Sequence, residues 1–92
     1  MAELNRTEVE QAIRENRSLE GMRLDYLNLD GAALDGARLR GTDLSHASFR
    51  GARLMQADLR DANLSYAMLD GADLTGANWK APCWRKPRFP RR

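Results

Sequence analysis

A large apolar residue recurs at every fifth position from Leu19 to Trp79 with no insertion or deletion. The ladder runs Leu19, Leu24, Leu29, Leu34, Leu39, Leu44, Phe49, Leu54, Leu59, Leu64, Leu69, Leu74 and Trp79. Two positions before each member lies a second ladder, which settles into alanine from Ala32 onward with one exception, Thr42. Two positions after each lies a third, and it holds all seven glycines of the chain: Gly21, Gly31, Gly36, Gly41, Gly51, Gly71 and Gly76.

Neither common element accommodates this period. On a helix the leucines would step by about 140° and spread around the cylinder, leaving no apolar stripe. On a flat strand, side chains five apart point to opposite faces, so half the leucines would meet water. The small residue and the large one are two apart, however, so both lie on one side of a short extended segment. A backbone that keeps both inside while repeating every five must turn once per repeat. It coils, and each coil buries the open face of its neighbour, as in a solenoid.

The segments Ala57-Asp58-Leu59-Arg60-Asp61, Ala62-Asn63-Leu64-Ser65-Tyr66, Ala72-Asp73-Leu74-Thr75-Gly76 and Gly76-Ala77-Asn78-Trp79-Lys80 resemble the A-(D/N)-L-x-x signature of the pentapeptide-repeat family. The resemblance covers 13 repeats, 65 of the 92 residues. It implies an all-β fold: a right-handed quadrilateral β-helix with four repeats to each coil. Thirteen repeats then make about three coils, a stack about 15 Å tall at the usual strand spacing. Arg17, Met22 and Leu27 replace the small residue, so the first coil is expected to be wider or irregular.

Three segments are expected: an N-terminal capping helix in residues 1–16, the β-helix in 17–81, and a basic end with proline and aromatic residues in 82–92. Thr7-Glu8-Val9-Glu10 reads as a capping box with Thr7 as N-cap, predicting a short helix over about 8–15. Leu4, Val9 and Ile13 would then cover the open end of the coil stack, an edge that otherwise invites aggregation.

With four repeats in each coil, outward columns become readable. Asp30, Arg50 and Asp70 alternate in sign, as do Arg23 with Asp43 and Arg53 with Asp73. Each stacked opposite pair contributes about 0.2–1 kcal/mol. Tyr26, His46 and Tyr66 form another column, read either as a ladder that stiffens one corner or as an exposed aromatic patch for a partner. A third column, Glu20, Arg40, Arg60 and Lys80 with Arg38 beside it, is the most basic part of the body.

The net charge of +2 conceals an asymmetry, because residues 82–92 carry five bases and no acid. All three prolines lie there, yet Trp84 and Phe89 keep the five-residue phase. Trp79 and Trp84 are therefore expected to close the lower end of the stack. Trp84, Arg85, Lys86 and Arg88 make a basic, aromatic end that could hold nucleic acid through phosphates and stacking.

Nothing points to catalysis. His46, the only histidine, has no cysteine or histidine partner for a metal, and the glycines follow repeat phase rather than a phosphate loop. No cofactor is expected. No apolar run spans a membrane, and a single cysteine, Cys83, fits a reducing, cytoplasmic compartment. The expected function is a non-catalytic scaffold that binds a protein partner through a face or an end of the β-helix, with homodimerisation through an end available. Two alternatives stand beside it. One, supplied by the resemblance, is DNA-mimicking modulation or protection of a type II topoisomerase such as gyrase. The other is nucleic-acid binding through residues 82–92.

Overall fold

The computed structural model describes residues 3–79. One helix, α1 (Arg6–Arg14), precedes a regular coil in which each straight segment contributes a single bridging residue. The bridges are all parallel and all join residues 20 apart: Arg23 with Asp43, Asn28 with Ser48, Ala33 with Arg53, Arg38 with Asp58, and onward to Asp58 with Asn78. Four repeats per coil is thus a property of this chain.

The corners are made where the third ladder falls. In Leu29-Asp30-Gly31-Ala32 the Ala32 amide donates to the Leu29 carbonyl at 3.1 Å, and Gly31 has φ of +70°. A four-residue turn with positive φ at its third residue is of type II, which explains why glycine gathers there and nowhere else. Between corners, three backbone groups per repeat reach adjoining coils. The Leu29 amide donates down to Ser48, the Gly31 amide down to Arg50, and the Ser48 amide up to Leu27. The two amides left over are those of the small residue, which closes the turn, and of the residue after leucine.

The second leftover amide accounts for the Asp/Asn preference. Asn28, Asp43, Asp58, Asn63 and Asp73 each accept, on Oδ1, the backbone N–H two positions on, at 3.0–3.2 Å. Where Ser48 and Arg53 occupy that place, the N–H groups of Arg50 and Met55 turn instead to Asp30 and Asp35 of the coil above, at 2.9 and 3.3 Å. A short polar side chain satisfies a donor that the coil cannot.

Inside, the leucine ladder from Leu19 to Leu69, with Phe49, is at most 2% exposed, and so are the alanines of the second ladder from Ala32 to Ala67. Thr42 fits among them because its hydroxyl donates to the Leu39 carbonyl at 2.7 Å. Met22 and Leu27, too large for the alanine place, are only partly buried and pack with Leu4 and Ile13 beside the core.

The structure corrects the expected helix boundaries. The N-cap is Asn5 rather than Thr7, its side chain accepting the Glu8 amide at 2.8 Å while Glu8 accepts the Asn5 amide at 2.9 Å. Both candidates have a glutamate three residues on. Asparagine is the better cap, and the earlier start adds two residues to the helix while still burying Val9 and Ala12 against the first coil.

The charge columns need a second correction. Arg53 pairs not with Asp73 below it but with Asp35 of the preceding coil, at 2.7 Å. Arg50 reaches Asp30 through its backbone N–H, while its guanidinium lies 3.1 Å from the Met68 sulfur. Vertical adjacency holds, but long arginine side chains choose diagonal partners, since a surface pair gains too little to dictate one geometry.

Candidate functional site

The four corner columns differ in one respect. Three hold mostly glycine: Gly21, Gly41 and Asp61; Gly31, Gly51 and Gly71; Gly36, Gln56 and Gly76. The fourth holds none. Tyr26, His46 and Tyr66 adopt φ of +66°, +60° and +61°, the left-handed region that side chains with a Cβ avoid at about 1–2 kcal/mol each. Their rings stack. Tyr26 and His46 are 4.5 Å apart between centroids with planes 3° apart, and His46 and Tyr66 are 4.9 Å and 11°. That spacing is the distance between coils, so the backbone sets it. The two ring pairs contribute about 0.5–1.5 kcal/mol each, which at best matches the lower end of the strain in three left-handed residues.

The column stays open to solvent, Tyr26 being 68% and Tyr66 45% exposed. Beside it the wall is polar: Asp43 accepts from the Ser45 amide and hydroxyl, and Asn63 from the Ser65 amide. Above it, Leu4, Asn5 and Glu8 of the helix start form a shallow depression with Asp25, Tyr26 and Leu27. The helix creates this depression where it meets the first coil, and the coils carry a shallow one of their own at Asp35, Gly36, Met55, Gln56 and Thr75. That was not apparent from the repeat.

Arg38, Arg40 and Arg60 do share one face. They do not make a bare cationic stripe, because Arg60 clamps Asp58 with its Nε and Nη2 at 2.9 and 2.7 Å, and Arg40 lies 3.7 Å from Asp61. Lys80, Trp84, Arg85, Lys86 and Arg88 lie outside the described residues, as does the proposed closure by Trp84. Among the described residues no group of three histidine, cysteine, aspartate or glutamate side chains could hold a metal, and no helix is long and apolar enough to cross a membrane.

Asp58 and Asp73 are among the carboxylates that titrate below their usual range. The Arg60 side chain donates to Asp58 and holds it down, against some burial, while the Thr75 hydroxyl and amide do the same for Asp73. A depressed folded value adds stability that is present above the ordinary value of 3.8 and disappears as the pH falls through the lower one. Melting temperature is therefore expected to hold from neutral pH to about 4 and to drop below it. Asp58→Asn keeps the Oδ1 acceptor but loses the ion pair, so its profile should be flatter in acid. An unchanged acid limb would remove Asp58 from the account.

Bridges between residues 20 apart, left-handed corners and an inward leucine with alanine define a four-sided β-helix built of five-residue units. The chain belongs to the pentapeptide-repeat family, whose profile matches as eight copies over residues 2–41 and 42–78. Among solved structures it is similar to the pentapeptide-repeat protein Rfr23 of the cyanobacterium Cyanothece 51142, at 29% identity and a TM-score of 0.51 over 80% of this chain and 48% of that one. HetL of Nostoc sp. PCC 7120, described as involved in the regulation of heterocyst differentiation, matches at 33% identity and a TM-score of 0.45, over 73% of this chain and 38% of HetL. The alr5209 protein of Nostoc PCC 7120 matches at 29% identity and 0.44, over 95% and 86%. This chain thus spans less than half the length of Rfr23 or HetL. No curated protein matches it.

Proposed function

We infer that the chain is a non-catalytic scaffold that binds a protein partner at the Tyr26/His46/Tyr66 corner. One observation carries this reading: glycine serves the same corner role in the other columns, yet here three large rings occupy strained left-handed positions and remain open to solvent. Stacking at best offsets the strain, so fold stability gives little reason for their presence. A rigid column of flat rings suits a partner's apolar side chains, since aromatic groups supply contact area at low entropic cost. The arginine face is less suited, as Arg40 and Arg60 already hold carboxylates of their own.

Tyr26→Gly with Tyr66→Gly tests the reading, because glycine is the residue these corners tolerate best. The double variant should melt within a few degrees of the parent while losing a protein that the parent retains from cell extract. Gln56→Gly, in another corner column, should keep it. Equal retention by all three would refute the corner as the contact. Loss of retention only on raising salt or on removing residues 82–92 would favour the basic end instead, and inhibition of supercoiling would favour a topoisomerase.

A further inference from the structure

We propose that the depression above Tyr26 receives an arginine side chain of the protein partner, its guanidinium flat on the Tyr26 ring and its charge against Glu3 and Glu8. This rests on the reading of the corner as the contact, and it names the group that enters at the corner's upper end. The geometry follows from where the coil stops. Glu3 still keeps the 20-residue register: its amide donates to the Arg23 carbonyl and its carboxylate accepts the Arg23 amide, both at 2.6 Å. Three residues on, the chain has left the coil. Arg6, which stands 20 before Tyr26, is the first residue of α1 and pairs with Glu10 at 3.6 Å. The ring column therefore ends at Tyr26. One face of that ring lies on His46 at 4.5 Å, and the ring, 68% exposed, borders the depression. A flat group laid on its other face extends a stack whose first two planes are only 3° apart.

Charge decides which flat group. Glu3 and Glu8 are exposed and line the depression, and no basic residue does. Each spends Oε1 on a backbone amide, Glu3 on that of Arg23 and Glu8 on that of Asn5 at 2.9 Å. Neither Oε2 has a hydrogen-bond partner among the described residues, so each can accept from a donor that enters. Asp25 also lines the depression, but it is buried, has a partner of its own and is not counted. A neutral aromatic side chain would stack on Tyr26 and leave both carboxylates unanswered. An ammonium would answer them without lying flat. A guanidinium is planar, stacks on aromatic faces and donates in a fork to carboxylates, so it satisfies both demands. Leu4 and Leu27, both partly buried, stand beside the ring where the arginine methylenes would pass.

Titration of the full-length chain with Nα-acetyl-arginine amide, followed by NMR at the Tyr26 ring, tests this. The citrulline amide, flat but neutral, and the lysine amide, charged but not flat, serve as the comparisons. The arginine amide should shift the Tyr26 signals saturably, with the other two binding about three- to tenfold more weakly. Glu8→Gln should weaken the arginine amide about two- to fivefold, and the helix should stay in place because a capping box accepts glutamine as readily as glutamate. Tyr26→Gly should abolish the difference between the three amides. Equal behaviour of the three towards the parent, including no shift from any, would overturn the proposal. The retention assay separates it from the reading beneath it. Retention lost with Tyr26→Gly and Tyr66→Gly but complete with Glu3→Gln and Glu8→Gln would overturn the arginine and leave the corner. Retention unchanged by the two glycines would overturn both.

Discussion

Phe49→Ala is expected to lower the unfolding free energy by about 3–5 kcal/mol, measured by denaturant titration. Phe49 is 0% exposed, in the middle coil, between Leu29 above and Leu69 below. A solenoid coil touches only its neighbours, so a cavity there loosens both interfaces at once. The walls cannot easily close in, because interlocked hydrogen bonds such as Leu29 to Ser48 and Phe49 to Met68, both 2.7 Å, hold the coils at a fixed spacing. Leu74→Ala, at a partly exposed position near the end, should cost much less. A Phe49→Ala chain within about 1 kcal/mol of the parent would mean that the interior is not packed as described.

Ala57→Leu probes the same interior from the opposite direction. Ala57 is 0% exposed, its amide closes the turn to Leu54 at 3.1 Å, and its carbonyl accepts from Asn78 at 2.8 Å. Three added carbons have nowhere to go, so the cost should be about 1–3 kcal/mol or more. Ala33→Leu, on the outward face, is the control and should shift stability by no more than about 0.5 kcal/mol. If the two variants melt alike, the small-residue ladder does not face inward. Met22 and Leu27 show how the first coil avoids this conflict: both are only partly buried, packed against the core rather than within it.

Most of the architecture could be read from residue spacing, because a gapless period constrains every coil alike. The family resemblance put four repeats in a coil, and the sign alternation of Asp30, Arg50 and Asp70 agreed with it. Features decided by small local differences were harder to read. Asn5 and Thr7 each head a plausible capping box, and the choice between them turns on a difference smaller than one hydrogen bond. The partner of Arg53 depends on side-chain reach, which Cα spacing does not encode. At the candidate site the column of Tyr26, His46 and Tyr66 was legible, since it follows from the coil length. Its strain was not, because a non-glycine residue in a left-handed turn carries no mark in a single sequence. The glycines of the other three corners were the available signal.

The single-residue bridges at intervals of 20 imply an arithmetic of editing. Any five-residue unit can be added or removed and the inside remains continuous, since each unit brings its own leucine and its own bend. The outside is less forgiving. One unit inserted between His46 and Tyr66 would carry every later side chain around by a quarter turn and place Tyr66 on the neighbouring corner, away from its stack. Lengthening by whole turns alone preserves the pattern a partner would read, so the interior tolerates steps of five and the surface only steps of 20.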